Sequence, residues 1–173
     1  PEKVILSGKV LNYTSEIKNI FLSINRPGLR PLQFYTKIDR EGFFSTSFEL
    51  YIPTDAWLRY KTNFLVLLHP GDSIYVEFDG QPKNRPDVLE TIRFGGDAKI
   101  VNSEAAILQK MYFSHPIYTD RKSEEYAVKK YNLTQYCQHL DSTRIQTDNI
   151  LNNFIAHVNP SSETKFWAAS FLN

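Results

Sequence analysis

Residues 63–80, NFLVLLHPGDSIYVEFDG, constrain the fold of this chain more than any other stretch. Phe64, Leu65, Val66, Leu67 and Leu68 leave no polar side, the pattern of a strand covered on both faces. Ile74, Val76 and Phe78 instead alternate with Tyr75, Glu77 and Asp79, as in a half-buried strand. Between them His69-Pro70-Gly71-Asp72 carries turn chemistry, because Pro fixes φ and Gly permits positive φ. The spacing predicts a hairpin with one doubly covered strand. The rest of the chain has to supply both a sheet beside it and cover above it.

Short alternating segments recur between residues 4 and 52: Val4, Leu6 and Val10; Ile20, Leu22 and Ile24; Leu32, Phe34 and Ile38; Phe44, Phe48, Leu50 and Ile52. Asp39-Arg40-Glu41-Gly42 reads as a hairpin turn of type I. A short strand is predicted at 57–60, a Pro-rich loop at 80–86 and a last strand at 88–94, closed by Gly95-Gly96. About eight strands at this spacing, with no strand–helix–strand alternation, predict an antiparallel β-sandwich and argue against a doubly wound parallel sheet.

Beyond Gly96 the period changes. Val101, Ala105, Leu108 and Met111 follow helical spacing, with Asn102 or Ser103 as the expected cap and His115-Pro116 as the end. A second helix is expected over 123–158, carrying Tyr126, Leu133, Cys137, Leu140, Leu151, Phe154 and Val158. It is expected to bend or stop in the polar stretch 141–149. Asn159-Pro160 reads as a cap followed by Pro at the first position of a third helix, 161–172. That helix carries Phe166, Trp167, Ala169, Phe171 and Leu172, too apolar a set to stand alone in water. The expected class is therefore α+β: a sandwich of about eight strands over 1–96, then a helical segment of two to three helices over 97–173. The chain starts at Pro1 without Met and ends within this apolar helix, so it reads as a piece of a longer protein, truncated at its C-terminal end.

The chemistry-bearing residues are sparse. Twenty basic residues are matched by 19 acidic ones without a long run of either sign, which argues against a nucleic-acid partner. The lone Cys137 forms no Cys-x-x-Cys pair, and no stretch reaches the ~20 apolar residues of a membrane span. No signal-peptide pattern opens the chain. His69, His115, His139 and His157 have no helical metal-ligand spacing, so no metal or cofactor is expected. Gly95-Gly96-Asp97 lacks the remainder of a phosphate loop and reads as a tight strand-to-helix turn. Glu124 and Glu125, adjacent on a helix, point to different faces and read as solvated surface. The sequons at Asn12 and Asn132 are about what chance delivers in this composition. A hydrolase or transferase finds no nucleophile–base pair here, and only a pocket holding His69 beside a carboxylate would reopen that class.

Aromatic residues are left over. Phe21, Tyr35 and Tyr75 fall on the polar sides of their strands, and Phe43 and Tyr51 face away from the Phe44 side. They are expected to pack under loops or against the helices; left open, such a face suits a sugar ring or a protein partner.

Four turn signatures in order carry a resemblance: Ser7-Gly8-Lys9-Val10, Ile38-Asp39-x-x-Gly42-x-Phe44, Leu68-x-Pro70-Gly71-Asp72-Ser73-Ile74 and Phe94-x-Gly96-Asp97-Ala98-x-x-x-Asn102. Together with Asn159-Pro160-Ser161-Ser162, they make the chain similar to the N-terminal region of bacterial thiol-disulfide oxidoreductases of the thioredoxin family. The resemblance implies a β-sandwich and a helical segment ahead of a thioredoxin-like domain, in an exported and often lipid-anchored protein of the periplasm or cell envelope. This chain has no Cys-x-x-Cys, so the family's catalytic cysteines have no counterpart in it. The expected function is that of a non-catalytic accessory region, partnered by its own C-terminal thioredoxin-like domain and by a protein. The alternative is a free-standing binding module that uses Phe21, Tyr35, Phe43, Tyr51 and Tyr75 for a glycan or a protein.

Overall fold

The computed structural model describes the backbone of residues 1–119 and 121–172 and, apart from 121–124, their side chains. The strands are β1 (Glu2–Leu11), β2 (Asn19–Ile24), β3 (Leu32–Lys37), β4 (Phe43–Leu50), β5 (Thr54–Arg59), β6 (Asn63–Leu68), β7 (Ser73–Asp79) and β8 (Arg93–Gly96). The helices are α1 (Arg85–Thr91), α2 (Lys99–Ser114), α3 (Pro116–Thr119), α4 (Arg121–Lys130), α5 (Leu133–Val158) and α6 (Ser162–Leu172). The class is α+β. One sheet has the order β4-β1-β7-β8 and the other β3-β2-β5-β6. Their inner faces meet through Leu6, Val10, Val76 and Phe78 on one side and Ile20, Leu22, Leu58 and Phe64 on the other, all buried. Each such side chain contributes roughly 1.5–3 kcal/mol when fully buried.

The alternation predicted the strands well but not their partners. Strands β6 and β7 do not form a hairpin, because they lie in different sheets. The His69-Pro70-Gly71-Asp72 turn carries the chain across the sandwich, with Gly71 at φ 91° and Asp72 N–H donating to the His69 carbonyl at 3.2 Å. The Asp39–Gly42 turn is likewise an arch from β3 to β4: Asp39 Oδ1 accepts from Glu41 N and Phe43 N at 2.9 and 2.8 Å. Turn residues fix the backbone's reversal and say nothing of which sheet receives it. Most pairs are antiparallel, but β7 returns beside β1 in parallel, with Gly8 opposite Val76.

The strand expected at 88–94 is instead α1 followed by β8. Asn84 caps α1 by accepting from Asp87 N at 3.0 Å, with a proline in the first turn, and adjacent Val88 and Leu89 are both buried. The first strand past Asp39 ends at Leu50, which leaves Ile52 exposed outside it. The 57–60 strand begins earlier, at Thr54.

Helix α2 joins the two halves. Ala98, Ala106 and Phe113 belong to the sandwich core, while Leu108 packs with Ile150, Phe154 and Ala168 in a second core between α2, α5 and α6. Arg85 of α1 lies 4.2 Å from the Phe113 ring and donates to Tyr118 Oη at 3.0 Å. The expected helix 123–158 is two helices, divided where Asn132 and Gln135 form a reciprocal capping box. Helix α5 then runs unbroken through 141–149, since polar residues on a helix surface neither remove backbone donors nor clash. Within the expected Glu124-Glu125 pair, the Glu124 side chain lies outside the described residues and Glu125 is exposed.

Two expected caps lie elsewhere. Asn159 closes α5 in the left-handed region at φ 47°, a conformation asparagine tolerates, and Ser161 caps α6 by accepting from Thr164 N at 3.2 Å. Glu104 of α2 reinforces that cap, accepting from Ser161 N and Oγ and from Thr164 Oγ1 at 3.1, 2.8 and 2.6 Å. Burial alone would push its carboxyl pKa up, yet these hydrogen bonds outweigh burial and hold it below the ordinary 4.5. A lowered folded pKa means stability fully present above 4.5 and lost as pH falls through the lowered value. Glu104→Gln is therefore expected to cost roughly 1–2 kcal/mol at neutral pH and to remove part of the acid-side decline, as read by denaturant titrations from neutral to acid pH.

Asn102, expected as a cap, has a different task. It lies inside α2, whose N-cap is Ala98 without a side-chain bond, and it faces the free edge of β6. Asn102 Oδ1 accepts from Leu67 N at 2.7 Å and Asn102 Nδ2 donates to Leu67 O at 2.9 Å. Gln109, two turns on, repeats this pair with Leu65 N and O at 2.7 and 3.0 Å. Two carboxamides thus take the place of a fifth strand. This explains how β6 can be apolar on both sides yet present no open edge.

Candidate functional site

The five aromatics singled out in the sequence do not converge. Phe21 and Tyr35 lie on the outside of the β3-β2-β5-β6 sheet, their centroids 5.0 Å apart, with the Arg59 guanidinium 4.8 Å from the Phe21 ring. Phe43 and Tyr75 lie on the outside of the other sheet, where Lys9 Nζ stands 4.5 Å from the Phe43 centroid. Tyr51 sits in the bend after β4. Tyr75 Oη bonds Glu77 at 3.3 Å; burial first and then that carboxylate raise its pKa. The cover expected from the helices is absent: Tyr35 and Tyr51 are 70% and 78% exposed and Phe43 39%, because the helices dock along the β6 and β8 side.

A groove of about 720 Å³ is the better candidate, within the range of ligand sites. Its walls are the 25–31 loop, the start of β5 and α6, with Leu29, Pro31, Leu67, Phe166 and Trp167 among its apolar lining. Asp55 stands in it, accepting from Trp167 Nε1 at 3.3 Å and from Asn25 Nδ2. His69 stands at the end of β6: its Nδ1 faces Asp72 Oδ2 at 2.8 Å and its Nε2 faces Glu163 Oε1 of α6. This is the juxtaposition of His69 with a carboxylate that would reopen an enzymatic reading.

The geometry decides what this imidazole can do. Burial alone would lower its pKa, but the hydrogen bonds and charges of Glu163 and Asp72 raise it above 6.5 and favour the imidazolium. With a carboxylate facing each ring nitrogen, the group ties α6 to the β6–β7 turn. The two nitrogens point in opposite directions, and the carboxylates on them do not converge on one ion; among the described residues no cluster of three or more such side chains is placed to hold a metal. A raised folded pKa contributes stability fully present below 6.5 and lost as pH rises through the raised value. Between about pH 5 and 9, the stability gap between wild type and His69→Gln is expected to be widest at the acid end and to close towards the alkaline end, as read by thermal melts.

Neither a family model nor a curated protein matches the chain. Among solved structures, a "putative cell adhesion protein" from Bacteroides ovatus is similar at a TM-score of 0.32 and 11% identity, over 56% of this chain. The chain spans 43% of that protein's length. No described helix is long and apolar enough to cross a membrane. Cys137 is exposed on α5, away from the groove.

Asp55, His69, Glu163 and Trp167 were not legible as a set, since 94 residues separate His69 from Glu163 and 112 separate Asp55 from Trp167. The only local signal was the apolar third helix, which called for a neighbour.

Proposed function

We propose that this chain is a non-catalytic interaction region, and that it serves as the N-terminal accessory region of an extracytoplasmic thiol-disulfide oxidoreductase of the thioredoxin family. The observation that supports this is that the four turn signatures meet in space as two pairs. Gly8 lies opposite Phe44, where a Cβ would come within 2.6 Å of the ring, and Val10 N donates to Gly42 O at 2.9 Å. Ser73 N donates to Asp97 Oδ2 at 2.9 Å and Asp97 N returns to Ser73 O at 3.0 Å. The coding sequence that follows residue 173 is the direct test. A domain with Cys-x-x-Cys there supports the reading; a stop codon, or a domain without the pair, overturns it.

The openness of Tyr35, Tyr51 and Phe43 favours a second reading, a free-standing module for a glycan or protein. A glycan array with a saturable hit weakened by Tyr35→Ala would support it, and an array without hits would remove the glycan form.

A further inference from the structure

We propose that the open edge of β4 pairs antiparallel with β4 of a second copy of this chain, joining two β4-β1-β7-β8 sheets into one across a two-fold axis at Ser47. The inference concerns the sandwich alone and holds whether or not a redox domain accompanies it.

Hydrogen-bond parity in the sheet carries the argument. Val10 N donates to Gly42 O at 2.9 Å, so the bonded pairs of the β1–β4 ladder are Gly8–Phe44, Leu6–Thr46, Val4–Phe48 and Glu2–Leu50. Ile5 N, of the opposite parity, donates to Asp72 O on the β7 side, as this requires. The N–H and C=O of Phe43, Ser45, Ser47 and Glu49 therefore point away from β1, and β4 is the last strand of its sheet. Asp39 satisfies Phe43: its N–H donates to Phe43 O at 2.9 Å and its Oδ1 accepts from Phe43 N at 2.8 Å. Among the described residues nothing bonds the backbone of Ser45, Ser47 or Glu49 on that side, and all three are exposed. The other sheet edges are guarded. Asn102 and Gln109 occupy β6, α2 packs against the four-residue β8, and β3 is bracketed by Pro31 and Lys37. Strand β4, FFSTSFEL, has no Pro, no Lys and no bulge in its register with β1.

A second copy is the occupant because the strand is complementary to itself. With Ser47 opposite its own symmetry mate, Ser45 faces Glu49 of the second copy and the reverse, so every open N–H and C=O of these three residues finds a partner. Glu49, the one charge on the strand, then meets a serine. Phe43 comes level with Tyr51 of the second copy, which gives an aromatic neighbour to two residues left 39% and 78% exposed. Sliding the register towards the start of the strand sets Glu49 against Phe43, whose backbone Asp39 already holds. Centring it on Glu49 opposes like charges. A foreign strand uses the same backbone groups without this match.

Sedimentation velocity of the whole chain, from about 10 μM to about 1 mM, tests this. The expected result is a closed monomer–dimer equilibrium with a dissociation constant on the order of 100 μM, because an edge contact buries less than a standard interface. Over that range, amide exchange at Ser45, Ser47 and Glu49 is expected to slow about threefold or more, while Tyr35 on the β3 edge is unchanged. Ser47→Lys and Ser47→Glu, at an exposed position that leaves the melting temperature unchanged, each oppose like charges on the axis and are expected to weaken dimerisation about tenfold or more. An equimolar mixture of the two is expected to return to within about threefold of wild type. A chain that stays monomeric at about 1 mM, a dimer indifferent to either variant, a mixture that fails to restore it, or growth beyond a dimer would overturn the proposal. Slowed exchange of the three amides in a monomeric chain, on adding an acetyl-Thr-Val-Thr-Val-Thr-amide peptide, would assign the edge to a foreign strand and overturn the commitment to a second copy.

Discussion

Asn102→Ala is expected to destabilise the protein by about 3 kcal/mol. Asn102 is 1% exposed, and its removal leaves the N–H and C=O of Leu67 buried without their partners. Each orphaned backbone group costs roughly 1–3 kcal/mol, and the vacated space adds to it. For a chain of this length that corresponds to a fall of about 10 °C in Tm. Asn102→Asp offers a near-isosteric comparison: the carboxylate still accepts from Leu67 N but faces Leu67 O without a donor, so it is expected to rescue little. Gln109→Ala, which uncovers Leu65 in the same way, is expected to behave alike. The double variant opens the edge of an apolar strand and is expected to aggregate on mild heating.

Gly96→Ala is expected to cost about 3 kcal/mol or more, whereas Gly95→Ala one residue earlier is expected to cost less than about 1 kcal/mol. Gly96 has φ 82°, and a Cβ there would lie 1.9 Å from Ser73 O, a backbone atom that cannot turn aside. The strain of a left-handed alanine and the displacement of β8 from β7 act together. A Cβ on Gly95 meets only Tyr75 side-chain atoms, the nearest at 3.5 Å, which is ordinary contact. Paired denaturant titrations therefore separate a conformational demand from a general intolerance of side chains at this junction. Because Ser73 also bonds Asp97, Gly96→Ala loosens the start of α2 as well.

Much of this fold could be read from hydrophobic period, because burial imposes that period directly. The two-sided apolar run of 64–68 announced a strand with cover on both faces, and the structure has one. The agent that completes its edge escaped notice because Asn102 and Gln109 are polar residues on a helix, which the pattern assigns to solvent or caps. Period also failed at Val88 and Leu89, where the local cues of Asn84, Pro86 and Asp87 favoured a helix but lay in a stretch that reads as loop. The arches at 39–42 and 69–72 were visible as turns and invisible as crossings, since sheet partnership is decided by the whole chain. The groove was illegible for a similar reason. His69 and Asp55 are unremarkable in isolation, and they acquire meaning only when α6 brings Glu163 and Trp167 against them. The aromatic candidates were found individually, and their distribution over opposite outer faces follows from the alternation of the strands that hold them.

Helix α2 completes the sandwich by serving as the neighbour of β6. That welds the helical segment, and the groove wall it carries, to the sheets. Residue-resolved hydrogen exchange at Leu65 and Leu67 measures this most directly. The structure predicts that both amides exchange only with global unfolding, and that Asn102→Ala frees Leu67 while Gln109→Ala frees Leu65. Fast exchange of these two amides in the native protein, at the rate of an open strand edge, would contradict it.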